Sequence, residues 1–166
     1  MNRVSNLING ISIKFITILG IVMTLTIIAQ VICRTFLGFS IYWSEELARY
    51  CLIWITFIGA AIAYRNADLA VLDLLDQKIS GKSKWIYKLI IQLIVANFIF
   101  VCIYYGFKQA TSPSTVNVVS PALRLPMQYI YLSVPVAFSI MFIHWIRSVI
   151  EIITNRKGKG EKCQLS

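Results

Sequence analysis

Four stretches without a formally charged residue dominate this chain: 15–32, 50–64, 89–107 and 125–146. A helix needs about 20 mainly apolar residues to cross a hydrocarbon core roughly 30 Å thick. Three of the stretches meet that length or nearly so. The second covers only about 22 Å as a helix, so to span it must run back through Arg49, Glu46 and Glu45 to Trp43. Composition agrees. The chain is 58% hydrophobic and 14% charged, against about 45–50% and about 25% for soluble domains. The expected fold is an all-α membrane protein, one integral domain over residues 1–166, with transmembrane helices near 11–32, 43–64, 85–107 and 126–147. Arg3 and Lys14 before the first apolar run resemble a signal peptide. The run is long and no small-residue cleavage site follows, so it reads as a retained anchor.

The net charge of +9 is a topology signal. With the N-terminus inside, the cytoplasmic segments carry Arg3, Lys14, Arg65, Lys78, Lys82, Lys84, Lys88, Arg147, Arg156, Lys157, Lys159 and Lys162. The opposite side carries only Arg34, Lys108 and Arg124. Positive charge collects on cytoplasmic loops, so both termini are expected in the cytoplasm and no nucleic-acid partner is implied. In residues 68–79, Leu69, Leu72, Leu75 and Ile79 recur every three or four positions, with Asp73 and Asp76 on another face. That pattern predicts a short amphipathic helix lying on the bilayer surface. Residues 155–166 read as a loose polar tail that can touch anionic lipid.

The second helix carries most of the chemistry. Ser44 is placed as its N-cap, with Glu45 and Glu46 in a first turn whose dipole favours anions. Arg49 lies four residues from Glu45 and three from Glu46, the spacing of helical ion pairs. Thr56, Gly59, Ala60 and Ala63 form a small-residue face on which another helix can pack closely. Gln92 and Asn97 in the third helix are expected to bond neighbouring helices. Pro126 suits a first helical turn, and Pro135 inside the fourth helix predicts a kink. Tyr42, Trp43, Trp85, Tyr129, Tyr131 and Trp145 are expected anchors at the membrane surfaces. His144 reads as an interface residue and Cys33, Cys51, Cys102 and Cys163 as apolar filler.

A single histidine rules out an internal bis-histidine haem site. No HExxH, phosphate-binding glycine loop or Ser-His-Asp set is present, and no span has a charge near its middle. No enzymatic activity, metal or cofactor is implied. What remains is a helical membrane part that works by packing against another polypeptide. Two other readings stay open. One is a small self-sufficient homo-oligomeric transporter or channel using Glu45 or Glu46. The other is a membrane enzyme using Cys33 or Cys51.

Three stretches resemble the small membrane subunit of TRAP (tripartite ATP-independent periplasmic) transporters, the DctQ-like family. They are CRTFLGFSIYWSEELARYCLIWITFIGAAIAYR at 33–65, DLAVLDLL at 68–75 and SPALRLPMQYIYLSVPVAF at 120–138. Where many members have a histidine after the second helix, this chain has Leu69. The resemblance implies a multi-pass protein of the bacterial inner membrane. It implies a large membrane subunit that holds the sodium and substrate sites and moves like an elevator, and a periplasmic substrate-binding protein. The cargo it implies is an organic acid of the dicarboxylate or sialic acid class. This chain would then be the stationary scaffold. Trp43, Glu45, Glu46, Arg49, Thr56, Gly59, Ala63, Asn97 and Pro135 would be its candidate contacts with the large subunit.

Overall fold

The computed structural model of the protein describes the backbone of residues 2–78 and 83–164, and the side chains of 5–66 and 90–150. The described chain is helical throughout apart from short connectors. It contains α1 (Asn2–Ile32), a π-helical turn (Cys33–Leu37), α2 (Ser44–Lys78), α3 (Ser83–Ala110), α4 (Pro113–Val116), α5 (Gln128–Tyr131) and α6 (Ser133–Gln164). Among the described residues, four segments are long and apolar enough to span a bilayer: Ser5–Leu37, Ser44–Asn66, Ile90–Ala110 and Gln128–Ile150. These are the four helices that the uncharged stretches demand.

The long helices form an open row. α1 packs on α2, α2 on α6, and α6 on α3; α1 touches α6 only lightly. Nothing in the most apolar window of α1 is buried. The core is therefore a thin seam rather than a bundle interior, with Cys51, Ile58, Ala61, Ile99 and Ala137 buried along it. Edge-to-face rings tie the seam, Phe15 to Trp54 at 5.9 Å and Phe98 to Phe138 at 5.8 Å.

Small residues set the closest approach. A Cβ on Gly106 of α3 would lie 3.1 Å from Pro135 Cδ, 3.3 Å from Pro135 N and 3.3 Å from Val134 Cγ1. Glycine is what lets α3 rest on the start of α6. Gly38 adopts φ +68° after the π-helical turn, the left-handed conformation that terminates helices and favours glycine.

Several boundaries differ from the sequence expectation. α2 runs unbroken through Lys78, so residues 68–78 extend the second helix end-on instead of forming a separate helix. No glycine or proline lies between Arg65 and Lys78 to stop it. Position 79 is outside the described residues. α6 likewise continues through Gln164 where a loose tail was expected, because Lys, Arg, Glu and Gln are good helix formers. Pro126 does not open a helix. It sits in an isolated antiparallel bridge with Val119, and the helix starts at Gln128. Pro135 is the third residue of α6, and the interruption falls at Leu132, between α5 and α6. Lacking an N–H, Pro135 cannot bond the Tyr131 carbonyl, which separates the two helices there.

Candidate functional site

Polar residues gather at the two ends of the helix row. At one end, α2 begins beside the 117–127 loop. Ser44 is not the N-cap. Its hydroxyl donates to the Ile41 carbonyl at 2.6 Å, closing the turn before the helix, while the Trp43 carbonyl accepts the first helical N–H, from Leu47, at 3.0 Å. Ser44 is fully buried, and this turn aims the two glutamates in different directions.

Glu45 turns towards α1, where Gln30 Nε2 donates to its Oε1 at 3.1 Å. Glu46 turns towards the loop. Its Oε2 accepts the successive backbone N–H groups of Ala122 and Leu123, each at 2.9 Å, and its Oε1 accepts the Tyr50 hydroxyl. Successive N–H groups on a tight turn form a small anion-binding concavity. The turn is shaped for this: Arg124 has φ 50°, Leu125 O accepts from Ser120 N at 2.9 Å, and Met127 N donates to Val118 O at 3.0 Å.

The expected ion pairs of Arg49 with Glu45 and Glu46 do not form. Both carboxylates are engaged elsewhere, and Arg49 is left exposed. It lines a groove of about 680 Å³ between α2, α5 and the start of α6, together with Glu46, Tyr50, Phe57, Met127 and Val134.

The remaining predicted residues divide clearly. Thr56 and Ala63 are exposed, and a Cβ on Gly59 would meet nothing within 4 Å, so the small face is not used inside the chain. Thr56 bonds its own helix at Leu52 O, 2.8 Å. Gln92 is buried and donates to Ser148 Oγ at 3.1 Å, joining α3 to α6 as expected. Asn97 is exposed and bonds no neighbour among the described residues. Tyr42, Trp43, Tyr129 and Tyr131 are exposed. Trp145 instead donates through Nε1 to the Gln92 carbonyl at 3.0 Å and stacks on Phe142 at 5.6 Å, so its polar atom works inside the helix row. Trp85 lies outside the described side chains.

His144, expected at the inner membrane interface, is buried between helices. It is 3% exposed, packed against a neighbouring helix, and its Nδ1 is 2.9 Å from Ser5 Oγ. Nearby, Arg65 donates to Asn6 Oδ1 at 2.6 Å. These bonds close the second polar end, where α1, α2 and α6 meet. Composition carries no signal for it, because its partners come from three helices far apart in sequence. Cys33, Cys51 and Cys102 are free thiols.

A row of four spanning helices, tied at both ends by side-chain bonds, defines a multi-pass helical membrane protein. Residues 23–155 match the family described as "Tripartite ATP-independent periplasmic transporters, DctQ component". The chain belongs to this family of TRAP transporter small permease subunits, and it is a multi-pass protein of the bacterial inner membrane. Among its relatives, the ectoine TRAP transporter small permease protein TeaB of Halomonas elongata is 24% identical over 94% of this chain and 81% of its own length. The sialic acid TRAP transporter permease protein SiaT of Haemophilus influenzae is 26% identical over 88% of this chain. The isethionate TRAP transporter permease protein DctMQ of Oleidesulfovibrio alaskensis is 24% identical over 64% of it. The chain spans 22% of the length of SiaT and 17% of that of DctMQ.

Proposed function

We propose that this chain is a non-catalytic scaffold that braces a larger, sodium-coupled membrane subunit for uptake of an organic acid, of the dicarboxylate or sialic acid class. A periplasmic binding protein delivers the solute. Sodium and substrate sites lie on the large subunit, and both termini of this chain face the cytoplasm. The observation that carries the reading is Asn97. It is an exposed amide without a partner among the described residues, set well inside the apolar part of α3. Exposed leucines need no partner in lipid, but an amide in hydrocarbon does. Long relatives in which this region is about a fifth of the polypeptide support the same reading. So do two relatives named for organic acids, sialic acid and isethionate. The open small face of Thr56, Gly59 and Ala63 is a second docking surface. Glu46, held by two backbone N–H groups and a tyrosine, is better suited to anchoring a loop than to carrying protons.

Co-expression with the large subunit tests the reading. The two chains should purify together, and this chain alone in proteoliposomes should move no solute. Uptake by the chain alone rejects the scaffold role. Asn97→Leu is expected to leave the isolated chain folded and to weaken the complex by roughly fivefold, from the loss of one interhelical hydrogen bond worth about 1 kcal/mol. Equal co-purification would place Asn97 against lipid. Arg49→Ala is expected to change the stability of the isolated chain by less than about 0.5 kcal/mol, since it breaks no bond within the chain, yet to reduce assembly or transport. A variant with wild-type uptake removes Arg49 from the interface.

A further inference from the structure

The end where α1, α2 and α6 meet holds a basic cluster without an acidic counterpart among the described residues. Arg65 of α2 and Arg147 of α6 are both half-buried; Arg65 reaches Asn6 of α1, the neighbour of the Ser5 that bonds His144, and Arg147 stands three residues beyond His144 on α6. The Nε atoms of both arginines and the Nε2 of His144 are buried without hydrogen-bond partners. When Ser5 donates to Nδ1, the ring hydrogen sits on Nε2, so the cluster is a set of donors. The only described acids, Glu45 and Glu46, belong to the opposite end of α2. In sequence, Asp68 follows Arg65 by three residues and Glu151 follows Arg147 by four; their side chains are outside the described residues.

Burying like charges is unfavourable unless an anion joins them. In sequence, Arg65 and Arg147 each close an uncharged stretch, 50–64 and 125–146, the place where arginine on a spanning helix reaches for the headgroups. Basic pockets between transmembrane helices on the cytoplasmic side suit anionic headgroups, and arginine binds phosphate with a planar fork. We propose that Arg65 and Arg147, over a floor formed by His144 and Ser5, bind the phosphate headgroup of an anionic phospholipid. A diphosphatidyl lipid, with two phosphates, fits the two guanidinium groups best. The leaflet rests on the orientation proposed above, but the binding itself does not.

The test is native mass spectrometry of the full chain in detergent, alone and with its large subunit. The probes are cardiolipin, phosphatidylglycerol, phosphatidylethanolamine and inorganic phosphate. Cardiolipin should bind roughly thirtyfold more tightly to wild type than to Arg65→Gln/Arg147→Gln, and roughly fivefold more tightly than to either single variant. Lys14→Gln should have no such effect, Arg65→Lys/Arg147→Lys should retain part of the binding, and inorganic phosphate should compete only weakly. Asp68→Asn/Glu151→Gln should keep or strengthen the preference. If the glutamine variants do not fold, wild type alone decides: no preference for anionic lipid over phosphatidylethanolamine overturns the proposal. So does an equal loss from Lys14→Gln, which indicates nonspecific attraction. Loss of the large subunit from the glutamine variants with lipid binding unchanged also overturns it, since the cluster then serves an acidic side chain of that subunit. Orientation is read separately, by labelling a cysteine placed at the N-terminus from either side of the membrane.

Discussion

Glu46→Ala is expected to free the 117–127 loop from α2. The substitution strands the N–H groups of Ala122 and Leu123 and removes the acceptor of Tyr50. Donors left unmatched in a partly desolvated site are costly. In the purified chain the thermal midpoint should fall by roughly 5 °C. Loop release has a direct readout, because Arg124 follows Leu123 and is a trypsin site. Cleavage there should accelerate severalfold while cleavage elsewhere stays constant. Glu46→Gln should be milder. Its amide oxygen can accept the two backbone N–H groups, and its NH2 can donate to the Tyr50 oxygen. Glu45→Ala, which loses only the Gln30 bond, should leave Arg124 protected. An unchanged cleavage rate in Glu46→Ala would show that the loop is held by its own backbone bonds instead.

Gly106→Leu is expected to give the largest loss of packing. The first added carbon already meets Pro135 Cδ at 3.1 Å and the Pro135 backbone nitrogen at 3.3 Å, and neither can swing aside as a flexible side chain would. A leucine must push α3 away from the α5–α6 junction, and overpacking of this kind costs about 1–3 kcal/mol. Gly106→Ala asks for a shift of only a few tenths of an ångström and gains about 1 kcal/mol of helix propensity, so its effect should be small. Pro135→Ala in the leucine background should recover part of the loss, because it removes the ring carbon that is struck first. Denaturation of the purified chain, followed by tryptophan fluorescence, measures all three variants. Equal stability of wild type and Gly106→Leu would mean that α3 does not rest on α6 as described.

How much was legible in advance depends on the range of the interaction. The end of the π-helical turn at Gly38 and the backbone-bonded threonines are local, and their spacing or residue type predicts them. Thr17, Thr24 and Thr26 each bond the carbonyl four residues earlier. Gly59 and Ala63 were recognisable as a small face, but the glycine whose missing side chain sets a close helix approach within the chain is Gly106. A lone glycine among aromatics carries no periodic signal. The expected ion pairs of Arg49 fail for a similar reason. Helical spacing makes Glu45 and Glu46 look like its partners, and nothing local reveals that Gln30 and two loop amides compete for those carboxylates. The burial of His144 carries no local signal, because its partner, Ser5, is 139 positions away.

Sequence alone determined the class of this protein. Uncharged runs of spanning length leave the backbone no way to satisfy its hydrogen bonds in hydrocarbon except as helices, and the quoted motifs at 33–65 and 120–138 place the chain among TRAP small permease subunits. Tertiary structure alone decided what those motifs do to each other. It brings the glutamate of the first motif onto the backbone of the second, 76 residues away, and joins His144 of α6 to Ser5 of α1. Such contacts depend on which helix lies beside which. That order follows from the packing of small and large side chains along the seam, which a one-dimensional pattern of apolar residues does not encode.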